Sequence, residues 1–582
     1  MNPSARHRYL ATAFLLATTA SAAEPIPRID VTGIDGARAD NVRAHLSIQR
    51  EPCDLSDWRV KALQRRAVQE TTQALRALGH YQPEITTRFS RTDDCWSLAV
   101  DVQPGPPVRI TRIHVELLGE AADDPAFIAL RDAPGIAIGS RLDHGRYETL
   151  RDQFVTLAAD RGYFEARYVS RALRVDPETL MAEIELVLDA GPRYRFGETT
   201  IEQDILRPAF VARFLPFAPG DPYSTDDLLR LQRVLEDNGY FERVEVRAQR
   251  ERTDADRSVP IRVTATPRAR RAWSMGIGAA TDVGPRLRLG FEDRRVNRNG
   301  HRFNADLEAA PVRSRLTANY LIPLGDPVRE RLSLQTELRH EETDAADTDL
   351  YRIGAIHQRE HTEGWRSGWI ETRSLSWLRE HYTVAGSRDR SSLLMPSWGI
   401  SRSVADHPVL PQRGWRVGMT LRGAASAVAS DTDFGQALFN TKLLYPFGQG
   451  RLIARAEGGT TVTGEVDDFP ASLRFFAGGD TSVRGYAYQS LAPRDADGEL
   501  IGGRHLLTAS LEYDRPVYGR WDAAVFIDAG NAFDRVEEGL KTGVGFGVRW
   551  RSPIGPVRLD LAWPLDEDDR SPRLHFTMGP DL

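Results

Sequence analysis

The chain has 582 residues, 27% charged and 41% hydrophobic, with a formal net charge of −6 at pH 7. That length allows three or four domains, or several small ones and one large one. The near-neutral balance leaves no basic footprint for nucleic acid, and nearly every cation is Arg, with Lys only at Lys61, Lys442 and Lys541.

At the N-terminus, Arg6, His7 and Arg8 precede an apolar run from Tyr9 to Ala17 and small residues ending Ser21-Ala22-Ala23. A basic start, a short apolar run and an A-x-A-like end predict a secretory signal peptide over 1–23. The run falls short of the ~20 residues a helical span needs, and no later stretch supplies one. The mature chain is therefore expected in the periplasm, outside the cell or in an outer membrane as a barrel. In such an oxidising compartment Cys53 and Cys95 are expected to pair, the alternative being two free or buried thiols.

Three short strings recur at a period of about 80 residues: Leu78-Gly79-His80-Tyr81, Arg161-Gly162-Tyr163-Phe164 and Asn238-Gly239-Tyr240-Phe241. An amphipathic helical stretch precedes each; before the third, Leu228, Leu229, Leu231, Val234 and Leu235 form one apolar stripe after the capping run Ser224-Thr225-Asp226-Asp227. Glycine ends each helix because it takes the left-handed conformation cheaply. Two alternating runs follow each string. Each copy therefore predicts strand, helices, Gly-aromatic turn, strand, strand, with modules at 24–107, 108–190 and 191–267.

From 270 to 582 strict alternation replaces the helical period, as in Trp415, Val417, Met419 and Leu421 interleaved with Arg416, Gly418, Thr420 and Arg422. Alternation alone fits a soluble sandwich or a membrane barrel with its apolar face toward lipid. The leader, the size of the region and the count of 16 alternating runs favour an antiparallel transmembrane β-barrel. One connection, 461–503, is long enough to suggest function.

No phosphate-binding loop, nucleophile elbow or metal-protease helix is present, and two Cys are too few for a structural zinc. No enzyme activity and no cofactor are expected. The informative string is Phe476-Ala477-Gly478-Gly479-Asp480-Thr481-Ser482-Val483-Arg484-Gly485-Tyr486 in the long loop. On the neighbouring strands Glu512 and Asp528 alternate with apolar residues and so face inward. An arginine folded into the lumen could meet both carboxylates, with lumenal water discounting the strength of the pairing.

These features resemble the outer-membrane assembly-factor superfamily, whose members join periplasmic POTRA modules to a 16-stranded barrel. The resemblance rests on the Gly-Tyr-Phe strings, the loop motif Val483-Arg484-Gly485-Tyr486, the strand motif Phe526-x-Asp528-x-Gly530-x-x-Phe533 and the strand start Gly555-Pro556-Val557-Arg558. It implies that Arg484 engages Asp528 and Glu512. Three modules and the chain's length most resemble the TamA family, the barrel subunits of translocation and assembly modules. That resemblance implies insertion or translocation of autotransporters and other outer-membrane proteins by opening of the barrel seam and templating of client strands. It also implies a TamB-like, inner-membrane-anchored periplasmic partner, and contact with outer-membrane lipid. Gly276 and Gly278 in the first barrel strand, with Gly579 and Pro580 in the last, fit a weak seam; for the two glycines, lumen packing or strand curvature is the alternative. A two-partner-secretion-type export pore and a passive porin remain the rival functions.

Overall fold

The computed structural model describes residues 27–91, 95–253, 255–464, 469–553 and 555–578. The leader over 1–23, Gly579 and Pro580 lie outside the described residues. No described helix is long and apolar enough to cross a membrane.

Three small sheets come first. Strands Arg28–Thr32, Glu84–Arg91 and Trp96–Gln103 form one, with the last strand in the centre, parallel to the first and antiparallel to the second. Strands Arg109–Leu118, Arg167–Asp176 and Met181–Asp189 repeat that arrangement. Strands Arg195–Glu202, Phe241–Ala248 and Ser258–Pro267 have the same order. Helices join the first two strands in each copy, the longest being Asp57–Ala77, His144–Asp160 and Thr225–Asp237.

The repeated glycines fall just after these helices, with φ of +84° at Gly79, +83° at Gly162 and +80° at Gly239. In the first two copies the next amide closes the helix, His80 N–H to the Leu75 carbonyl at 3.0 Å and Tyr163 N–H to the Ala158 carbonyl at 2.8 Å. Only glycine takes this conformation without strain, so the string recurs wherever a helix must turn sharply into a strand. The first core packs Leu63, Ala67 and Leu75 of the long helix on Trp96, Leu98 and Val100 of the central strand. Cys53 and Cys95 are disulfide-bonded with their Cα atoms 4.8 Å apart, tying the segment before that helix to the start of the central strand.

In the second module one carboxylate serves both a helix start and a helix end. Asp124 caps the helix Pro125–Asp132 by accepting from the Ala126 amide at 3.0 Å. It also accepts from Arg161 Nε at 2.8 Å and Tyr163 Oη at 3.1 Å, on either side of Gly162. Burial raises the cost of ionising Asp124, but Arg161, the Ala126 amide and Tyr163 outweigh it and hold the carboxyl below its ordinary range. The stabilisation is therefore present above the ordinary carboxylate pKa and is lost as pH falls through the lowered value. Asp124→Ala is expected to destabilise this module by about 2–3 kcal/mol. Hydrogen exchange of the Pro125–Asp132 amides should quicken and lose part of its acid dependence.

The C-terminal region is a sheet of sixteen antiparallel strands, each paired with its sequence neighbour, from Arg271–Ala280 to Arg573–Met578. All 16 predicted runs coincide with strands. Several strands run beyond their apolar alternation, Ser387–Ala405 among them. A tight turn at Ala385-Gly386 lets polar residues 387–391 continue the ladder, in register with Glu380 to Val384. Those residues carry no hydropathy signal. Outward side chains are apolar, as in Leu511, Val525 and Ile527, while their alternates Glu512, Ala524 and Asp528 are buried inside.

The chain divides into two compact units. One holds the first two modules through Gly197 with 219–226 and 250–259; the other holds 198–218, 227–249 and everything from Pro260.

Candidate functional site

The long loop leaves the strand Gly450–Thr463 and returns at His505–Tyr518. It is fastened inside the barrel by its own small core: Val483 and Tyr486 are fully buried and pack with Ala477 and Leu491. Arg484 lies between those two anchors, so its side chain can only point at the inner wall.

There it is enclosed. Arg484 Nε and Nη2 donate to the two oxygens of Asp528 at 2.7 and 2.9 Å, a bidentate pair. Nη1 donates to Glu512 at 2.7 Å and to Asp560 at 3.0 Å, and Nη2 to Ser510 Oγ at 3.3 Å. The Arg484 amide also donates to Asp528, at 3.0 Å. The guanidinium carbon stands 3.4 Å from the centre of the Phe526 ring, a cation–π contact on the face that the carboxylates leave open.

A second arginine completes the cluster. Arg549 Nε and Nη2 donate to Glu512 Oε1 at 3.0 and 2.9 Å, and Nη1 donates to Asp560. Arg455 stands 3.6 Å from Asp528 and donates to the Ser482 carbonyl at 3.1 Å. Three guanidiniums thus face three carboxylates, and Arg484, Arg549, Asp528, Glu512 and Asp560 are all buried. The expected discount for lumenal water does not apply, because the loop that brings Arg484 also covers it.

Asp560 and Arg549 were missed in the sequence, although Asp560 alternates with the outward Leu559 and Leu561. Alternation assigns a face but not which inward groups meet. Gly543 was missed too. A Cβ there would lie 1.9 Å from the Arg484 carbonyl oxygen. Gly543→Ala is therefore expected to push the loop off the wall. The variant should show protease cleavage within 464–504 while retaining the heat-resistant gel mobility of a folded barrel.

The first and last strands behave differently from all other neighbours. Among the described residues no ladder pairing joins Arg271–Ala280 to Arg573–Met578. They meet through a side chain, the Phe576 amide donating to Thr281 Oγ1 at 3.0 Å. Trp273, Met275 and Ile277 are about four-fifths exposed (79, 78 and 84%), whereas outward residues within other strands, such as Leu316 and Val525, are 40% and 58% exposed. An apolar cleft of about 670 Å³ opens at this seam, lined by Ile277, Ala279, Leu287, Phe576 and Met578. Gly276 and Gly278 pair with Arg288 and Arg286. A Cβ at Gly278 would lie 2.9 Å from Arg286 Nε, so this glycine makes room for a lumenal arginine.

Comparison with known proteins places these features. The Omp85 superfamily domain matches residues 281–581. The POTRA domain described as TamA domain 1 matches 28–104, and the POTRA-type surface antigen variable number repeat matches 194–267. The outer membrane protein assembly factor BamA of Neisseria meningitidis is 24% identical over 487 residues, covering 71% of this chain and 60% of that one. BamA of Nitratidesulfovibrio vulgaris is 29% identical over 194 residues, 31% of this chain and 24% of that one. The chain thus spans less than two thirds of these curated relatives. The crystal structure of BamA from Haemophilus ducreyi lacking POTRA domains 1–3 superposes with a TM-score of 0.67 at 17% identity, covering 81% of this chain and 99% of that one.

Proposed function

Because the chain belongs to the Omp85 superfamily, as an outer-membrane barrel with periplasmic POTRA modules, we propose that it is a TamA-like assembly factor. In this reading it inserts or translocates β-barrel proteins, autotransporters among them, through the seam between its first and last strands. A TamB-like, inner-membrane-anchored protein docks on the first module, whose match to a TamA domain supports that assignment.

The edge of Arg271–Ala280 that has no ladder partner among the described residues is the observation that carries the reading. An open edge offers backbone N–H and C=O groups that a client strand can pair with. Each such bond contributes about 1 kcal/mol net, so the client's own folding supplies the free energy. Little must be broken first, since side-chain contacts hold the seam.

The test is a reversible lock. With Ala279→Cys and Phe576→Cys, which line the same cleft, an oxidised seam in lipid vesicles should stop insertion of a β-barrel client, and reduction should restore it to the level of the native protein treated with the same reductant. Unchanged insertion across a locked seam would overturn the mechanism. A photo-crosslinker at the exposed Trp58 of the first module should capture the large inner-membrane-anchored partner. Capture of a secreted exoprotein instead would favour an export pore.

A further inference from the structure

The loop that carries Arg484 also reaches both edges of the seam, through a residue four positions earlier. Asp480 Oδ1 accepts hydrogen bonds from Thr281 Oγ1 at 2.6 Å and His575 Nδ1 at 2.7 Å. Its Oδ2 accepts from the Asp282 amide at 3.3 Å, and its own amide donates to Asp282 Oδ2 at 2.7 Å. Thr281 and Asp282 directly follow the first strand, and His575 lies in the last.

The protonation pattern is constrained. The Gly485 amide donates to His575 Nε2 at 2.9 Å. Nε2 is therefore the acceptor nitrogen and Nδ1–H the donor to Asp480. With both ring nitrogens engaged, the cluster is a closed set of hydrogen bonds, and His575 passes it on to the residue next to Arg484. Loop approach depends on Gly479, where a Cβ would lie 2.6 Å from Asp282 Oδ2.

We infer that Asp480 is a positioning residue for the seam: it latches the first and last strands to the lumenal loop, and the latch loosens when Asp282 ionises beside it. This rests on reading the seam as the client gate. Carboxylate oxygens of Asp282 and Asp480 lie within 4.8 Å of one another and of a ring nitrogen of His575. Burial, and then the charge of Asp480, push Asp282 up to about 7. The other titratable groups facing Asp282 are Tyr486 and Tyr488 of the loop and His575 and Arg573 of the last strand, which share with it a cavity of about 330 Å³. Tyr488 donates onward to Glu341 at 3.2 Å. In an open seam Asp282 returns to the ordinary carboxylate range. Closure is then strongest in acid, weakens as pH rises to about 7, and levels off above.

The experiment uses the full-length protein in phosphatidylethanolamine–phosphatidylglycerol vesicles with spin labels at Ala279→Cys and Phe576→Cys, the native disulfide leaving only these thiols free. Pulsed EPR then reads closed and open distances. The ratio of open to closed should rise about fourfold between pH 6.5 and 8 and then flatten. Asp282→Asn, which keeps an acceptor for the Asp480 amide, should abolish that dependence and stay closed. Asp480→Ala should raise the open population about tenfold at pH 6.5. Should that variant fail to fold, Asp282→Asn still decides. A seam whose distances ignore pH, or a pH response surviving Asp282→Asn, overturns the latch. No client is present, so the latch can fail while the locked-seam assay still supports the gate, and the reverse is equally visible.

Discussion

Arg484→Ala is expected to abolish most client assembly while leaving a folded barrel, at a cost of about 3–5 kcal/mol in stability. Asp528, with no exposed surface, would keep only Arg455 at 3.6 Å as a cationic partner. Glu512 and Asp560 would share Arg549. Most of the penalty is the buried charge left behind rather than the lost attraction. Arg484→Lys should recover little, because one ammonium cannot hold Asp528 through two bonds and reach Glu512 and Asp560 as well. Pairing Arg484→Leu with Asp528→Asn removes the orphaned charge. It should regain over half the stability, read as heat-modifiable gel mobility, without regaining assembly. Normal client assembly in Arg484→Ala would remove the loop from the mechanism.

The second large effect concerns the first module. Opening the Cys53–Cys95 bond, across a sequence separation of 42, should cost about 4 kcal/mol on chain-entropy grounds. A module of two α-helices, Gly36–His45 and Asp57–Ala77, and three strands has little surplus to absorb that. In Cys53→Ser with Cys95→Ser, limited proteolysis should cut within 28–104 while the second module, with its separate core of Phe127, Phe154 and Leu186, stays protected. In the native protein, unfolded without reductant, neither thiol should alkylate. Alkylation of both would refute the bond.

Much of this architecture was legible because its causes are local. A left-handed glycine after an amphipathic stripe is a backbone requirement that leaves its mark in three residues, and it did so at Gly79, Gly162 and Gly239. Alternation is equally local, and it placed all 16 strands. It also put Glu512 and Asp528 on the inner face. What stayed hidden depends on distance along the chain. Asp560 meets Arg484 across 76 residues, and nothing near Asp560 distinguishes it from any other inward acid. Gly543 reads as one strand glycine among several until the Arg484 carbonyl is placed against it. Burial of the cluster was misjudged for the same reason: a lumen looks wet in one dimension, and only the folded loop excludes the water. The latch residues Thr281, Asp282 and His575 come from opposite ends of the barrel sequence, so only closure of the sheet makes them neighbours.

The loop's attachments also give the barrel a mechanical character. Besides its hold on Asp528 and Glu512, the loop donates from the Ser472 amide to Glu380 at 2.9 Å, on the strand Ile370–Val384. Gln436, on the strand Phe434–Phe447, donates to its Leu473 carbonyl at 2.9 Å. A single peptide segment thus works as a tie rod across the bore, anchored in widely separated staves. Sideways squeezing by the surrounding bilayer would load this rod rather than flatten the cylinder. The compliance left to the structure is then concentrated at the joint that lacks a ladder among the described residues, so a thinned or stressed bilayer would strain the seam before any other part of the wall.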